Sequence, residues 1–134
     1  MFRTVDNATA EILENLRSEL RRGSLIVAVL AELRQEQYGY TLRKSLEEHG
    51  ILMDEGTLYP LLRRLESQGL LASEWREQDK RNKRFYRLSP RGEIVLTELL
   101  LDWENLSQSL RAILQQSQTA PESSVPSAEA APKD

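Results

Sequence analysis

Apolar residues return along this chain at two spacings, and the elements change where the spacing changes. Leu13, Leu16 and Leu20 recur every three or four residues behind the polar starters Asp6, Asn7 and Thr9, which predicts an amphipathic helix with one apolar stripe. Arg21, Arg22 and Gly23 read as its end, so residues 1–22 form an N-terminal helix. Leu25, Ile26, Val29, Leu30 and Leu33 repeat the pattern on a wider face, predicting a second helix deepest in the core. Tyr38-Gly39-Tyr40-Thr41 breaks it and caps a short helix that carries Leu42 and Leu46 and stops near His49 and Gly50.

The stretch from Asp54 to Gln68 is the most informative helix. At about 100° per residue, Leu58, Leu61, Leu62 and Leu65 fall on one stripe, with Pro60, Arg63, Arg64 and Ser67 opposite. Thr57 and Tyr59 flank the stripe near the N-terminal end, where the helix dipole and free N–H groups favour an anion. Pro60 has no amide hydrogen, so the helix starts only a turn or so earlier, and Gly69 supplies its stop.

The period then becomes two. Leu71 to Arg76 and Lys83 to Leu88 alternate as two strands around a turn at Gln78 to Asn82, and Trp75 is expected to cover the inner face of this hairpin. Ser89-Pro90 reads as the N-cap and first residue of a long helix running to about Leu114. Along it Leu96, Leu99, Trp103, Leu106, Leu110 and Ile113 alternate by three and four, an a/d seam widened by Leu100, Leu101 and Leu114. A seam with no intrachain partner left predicts a homodimer, with Leu13, Leu16 and Leu20 packing on the same seam.

The expected architecture is therefore mainly α with a small two-stranded β-wing. Residues 23–89 form a winged helix-turn-helix and residues 90–114 a C-terminal dimerisation helix. Residues 115–134 carry Val125 as their only large aliphatic side chain and are expected to be a disordered extension of no assigned function.

Composition narrows the chemistry. A length of 134 residues fits one domain, and the absence of cysteine excludes disulfides and thiolate metal sites. His49 is the lone histidine, with no partner to share a metal, so it is a helix-end residue and no cofactor is expected. No P-loop, dinucleotide fingerprint or nucleophile elbow occurs, so the chain is not expected to be an enzyme. The longest apolar run, Leu25 to Leu33, is far shorter than a bilayer span and the N-terminus lacks a signal pattern, so a cytoplasmic protein with no membrane partner is expected.

Charge is unevenly placed. The sixteen residues from Arg76 to Arg91 hold seven cations against Glu77 and Asp79, net +5, while the whole chain is −3. Such a run is often only a solvated hairpin tip. Beside a helix bearing Arg63 and Arg64 it has the form of a surface for double-stranded DNA: the third helix in the major groove, the hairpin on the flanking backbone. Arg63 and Arg64 then bridge phosphates or read guanine edges, against the alternative of pairing with Glu66 or Ser67 or plain solvation. Thr57, Tyr59 and Pro60 make backbone or methyl contacts, and Lys80, Arg81, Lys83 and Arg84 supply a salt-sensitive phosphate term. The hydroxyls of Tyr38 and Tyr40 can hold a phosphate at the start of the second motif helix, although core packing suits one of them equally. The rival function is a dimeric winged-helix module for ligands or proteins that does not bind DNA.

These residues resemble the PadR-type transcriptional regulators, and more closely the short subfamily whose C-terminal part is a single dimerisation helix. The similarity runs from about Gly23 to Leu114 and rests on Tyr38-Gly39-Tyr40, on Gly56-Thr57-Leu58-Tyr59-Pro60-Leu61-Leu62-Arg63-Arg64-Leu65-Glu66, on Gly69-Leu70-Leu71, and on Arg84-Phe85-Tyr86-Arg87-Leu88-Ser89. It implies a homodimeric, sequence-specific regulator acting on a pseudo-palindromic operator, commonly a repressor that answers to a small molecule. It also implies a phosphate role for Tyr38 or Tyr40 together with Lys44, and a cavity at the dimer centre lined by this part of the long helix. Trp103 is there either an interface anchor or one of two indoles gripping a small planar aromatic effector. Many relatives have glycine in the wing turn; here the turn is Asp79-Lys80-Arg81-Asn82, with Asn82 expected to take the left-handed backbone.

Overall fold

The computed structural model describes residues 5–123, with side chains through residue 116. The chain divides into two units, residues 1–97 and 98–134. The element order is α1 (Asn7–Glu32), β1 (Gln37–Tyr38), α2 (Gly39–Glu48), α3 (Glu55–Ser67), β2 (Leu71–Gln78), β3 (Arg81–Leu88) and α4 (Pro90–Ser123).

Residues 7–32 form one helix where two were expected. Gly23 does not adopt the left-handed conformation of a helix stop, which among the described glycines is confined to Gly50 and Gly69. A glycine inside a helix costs about 1 kcal/mol relative to alanine and does not end it. Ser24 remains in the helical run, its Oγ donating to the carbonyls of Leu20 at 3.1 Å and Arg21 at 3.2 Å. What changes at Gly23 is the direction of the apolar stripe, which turns by roughly 100° between Ile12/Leu13/Leu16/Leu20 and Ile26/Val29/Leu30/Leu33. The second stripe is buried, with Val29, Leu30 and Leu33 at 0% exposure, while Ile12, Leu16 and Leu20 are exposed.

Around that second stripe, Leu42 and Leu46 of α2 and Leu58, Leu62 and Leu65 of α3 are all buried. Each such side chain removed from water contributes about 1.5–3 kcal/mol. Helix α3 begins at the N-cap Asp54, whose carboxylate accepts from the Thr57 amide at 2.8 Å, and Pro60 stands in its second turn. Its ends suit the helix dipole, with Glu55 in the first turn and Arg64 in the last. Gly69, at φ 81°, then reverses the chain.

The sheet has three antiparallel strands in the order β1-β3-β2, one more than expected. The addition is the two-residue β1, whose Tyr38 pairs with Phe85. It was illegible as a strand because two residues show no period. The hairpin register runs from Leu71↔Leu88 to Gln78↔Arg81, so each strand reaches two residues further toward the tip than the alternation predicted. The turn is only Asp79-Lys80, at φ 54° and 66°, rather than one bent at Asn82. A two-residue hairpin whose twist matches its strands needs the left-handed region at both central positions, which leaves Asn82 in the strand.

Ser89 caps α4: its Oγ accepts from the Gly92 amide at 3.0 Å and donates to the Gly69 carbonyl at 2.6 Å. Gly92 is required there, since a Cβ would run into the backbone carbonyl oxygen of Leu70. In the first unit Leu96 is buried at 4% exposure, so it belongs to the chain's own core and the expected seam starts at Leu99. Helix α4 continues nine residues past Leu114 into the expected tail. Elongation needs no new nucleus, and Gln115, Gln116 and Ala120 are compatible with helix. The remainder of that tail, residues 124–134, lies outside the described residues. No described helix is long and apolar enough to cross a membrane.

Candidate nucleic-acid interface

The solvent face of α3 carries Arg63 and Arg64, both exposed. Neither has an acidic partner among the described residues. Being adjacent, they diverge by about 100° around the helix. Arg63 turns toward the wing, sharing a groove of about 450 Å³ with Tyr38, Tyr40, Tyr59, Trp75, Arg81, Lys83 and Arg84. Arg64, Thr57, Pro60 and Lys44 are exposed but do not line that groove, and neither does Lys80 at the wing tip.

The two motifs of the sequence interlock at one point. Tyr59 packs on Gly39, and any Cβ at that position would lie 2.6 Å from Tyr59 Cε1. This is why glycine stands between two tyrosines: its missing side chain lets the α3 ring lie on the start of α2. The two tyrosines therefore part company. Tyr38 is half-buried, its ring 5.2 Å from that of Phe85 in an edge-on arrangement and its hydroxyl accepting from Lys83 Nζ at 3.3 Å. Tyr40 is exposed, one helical turn from Lys44 on the same side of α2.

The basic window is less free than its count suggests. Arg76 pairs with Glu36 and, at 2.7 Å, with Glu74, and lies over the Phe85 ring at 4.2 Å. The hydrogen bond to Glu36 holds its guanidinium even further above the ordinary range, so it stays charged and engaged. Lys83 sits 4.4 Å over the Tyr38 ring, largely covered. Arg84, expected on phosphate, instead donates to Glu66 at 3.0 Å and to Ser73 Oγ at 2.9 Å. A guanidinium already committed to a half-buried carboxylate gains little from a second anion, so Arg84 acts as a strut between α3 and the hairpin. Lys80, Arg81 and Arg87 are exposed, without acidic partners among the described residues.

Under the strut, burial pushes the Tyr86 hydroxyl above its ordinary value of 10.0, opposed by the nearby Arg84 and Arg63 charges. The hydroxyl is therefore neutral in the groove wall. Trp75 was expected to cover the inner face of the hairpin. It does share the hairpin face of Leu71 and Ser73, yet it is 62% exposed, because the hairpin extends past the surface that α3 covers. Neither charge nor spacing marked Trp75, Asn82 or Gly39 as part of this site. The hairpin register alone would have placed Trp75 opposite Arg84.

In the second unit Leu100, Leu101, Trp103, Leu106, Leu110, Ile113 and Leu114 are exposed and Leu99 is half-exposed. Leu99, Trp103, Leu106, Leu110, Ile113 and Leu114 share one stripe about 100° wide. Leu101 stands apart from it. In the first unit, Leu13 is half-exposed beside the exposed Leu16 and Leu20.

Three helices followed by a hairpin, with unpaired cations on the third helix and at the hairpin tip, define a winged-helix protein of the class that regulates transcription. Residues 26–98 match the transcriptional regulator PadR-like family, and the chain belongs to that family. A transcriptional regulator of Mycobacterium tuberculosis is 45% identical over 79 residues, 59% of this chain and 71% of that one. A PadR family transcriptional regulator from Eggerthella lenta superposes with a TM-score of 0.75 at 45% identity, over 81% of this chain and 97% of the other. A PadR-like transcription factor of Bacteroides fragilis gives a TM-score of 0.65 at 34% identity, over 74% and 98%.

Proposed function

We propose that the chain acts as a homodimer on a pseudo-palindromic DNA site, as a repressor whose affinity answers to a small planar aromatic effector. The observation that carries the DNA part is the row of cations left without acidic partners, Arg63 and Arg64 on α3 and Lys80 and Arg81 at the wing. Arg76 and Arg84 are held by carboxylates of the chain itself, whereas these four remain available to an external anion. In this reading α3 enters the major groove, Tyr40 and Lys44 hold a phosphate at the start of α2, and the wing tip holds the flanking backbone. Thr57 and Pro60 offer methyl and ring surface to base edges. Two copies set their α3 helices about 34 Å apart, one turn of DNA.

The dimer is supported by the exposed stripe of Leu99, Trp103, Leu106, Leu110 and Ile113, and by Leu13, Leu16 and Leu20 on α1, apolar surface that water covers poorly. Trp103 in that stripe serves as an anchor between copies and as the surface that meets the effector. To regulate, the effector must bind one dimer geometry better than the other.

The test is a footprint on the DNA upstream of the gene, repeated with Arg64→Ala, the α3 arginine that stands outside the wing groove. The variant should lose about 1–3 kcal/mol on the protected site and little on random duplex. Equal losses on both would leave Arg64 as a phosphate contact only. No protection by the parent chain would favour the rival reading of a winged-helix module that meets ligands or proteins instead.

A further inference from the structure

We infer that Trp75 is a contact for the DNA backbone built into the wing, its indole lying against a deoxyribose in the groove between α3 and the hairpin. This rests on the duplex-binding reading above and adds to it a residue that carries no charge.

The geometry is that of a braced platform. Trp75 shares a hairpin face with Leu71, at 3% exposure, and Tyr86, at 6%, yet is itself 62% exposed. Directly across the hairpin stands Arg84, its guanidinium carbon 5.6 Å from the indole centroid. That guanidinium is held by Ser73 Oγ at 2.9 Å and by Glu66 at 3.0 Å, so the ring is supported by a group that is itself fixed. An indole left open to water forgoes a large burial gain, which contact with a partner recovers.

The surroundings select the partner. Arg63 and Arg81 line the same groove and have no acidic partner among the described residues. A flat apolar surface that shares its groove with two available cations suits the alternation of sugar and phosphate along one strand. The sugar packs on the ring, the neighbouring phosphates meet the guanidinium groups, and the indole N–H can donate to a phosphate oxygen. An apolar protein partner would leave Arg63 and Arg81 facing it unpaired, at a desolvation cost.

A backbone contact is independent of sequence, so a fluorescently labelled random-sequence duplex at low salt is a sufficient probe for the full-length chain. Anisotropy reports binding and tryptophan emission reports the indoles. The parent chain should show an emission change that tracks bound duplex and is absent in Trp75→Phe at saturation. Trp75→Ala should bind roughly tenfold more weakly with an unchanged dependence of log affinity on log salt, since no cation is lost. Binding by anisotropy with the same emission change in parent and Trp75→Phe, or full affinity in Trp75→Ala, would overturn the assignment while leaving the functional reading intact. No binding of any duplex by the parent chain would remove both.

Discussion

At the scale of single residues, one position that shapes the candidate site bears no functional group. Gly39 accepts the Tyr59 ring where a Cβ would come within 2.6 Å of its Cε1. Gly39→Ala should therefore displace the half-exposed Tyr59 ring from α2 and destabilise the fold by about 1 kcal/mol, the cost of a ring pushed off its rotamer. Urea unfolding measures it, and an unchanged midpoint would show that the ring has room to move. The sequence displayed both halves of this contact, Tyr38-Gly39-Tyr40 and Gly56-Thr57-Leu58-Tyr59-Pro60, but not their meeting, because contacts between motifs have no period. The same holds for Arg84. Its charge was legible, while its engagement by Glu66, eighteen residues away, was not.

At the scale of elements, the wing's cations fall into two groups. Midway along it Lys83, Arg84 and Arg76 are tied to Tyr38, Glu66 and Glu36, whereas Lys80 and Arg81 at the tip and Arg87 near the base remain free of acidic partners among the described residues. Lys80→Ala with Arg81→Ala should weaken binding to all duplexes alike and lower the slope of log affinity against log salt by about 1.8, two phosphates at roughly 0.9 each. A titration series in salt gives the slope, and an unaltered value would exclude the tip from the complex. Helix and strand types were legible from periods of 3.6 and 2, and the cap Ser89 from its residue type, whereas the cap Asp54 emerged only in the structure. The ends were not: the hairpin turn tightened to Asp79-Lys80, and α1 ran through Gly23, because register and burial override local stop signals.

At the scale of the whole molecule, the proposed pairing of copies makes stability and DNA affinity functions of protein concentration. Replacing Leu106 and Leu110 together by aspartate should shift the sedimenting species to the monomer mass and abolish cooperative occupancy of two half-sites. A mass independent of concentration in the parent chain, at the monomer value, would exclude the dimer. Membership of the PadR-like family was legible because its signature lies within one contiguous stretch, whereas no stretch names an effector or an operator. The unbroken α1 has one more consequence. Its twenty-six residues make a rod of roughly 39 Å, clamped over its final turns by Val29, Leu30 and Leu33. With no joint at Gly23 to absorb rotation, leverage applied to the first turns is transmitted to the seat of α2 and α3 instead of being dissipated midway.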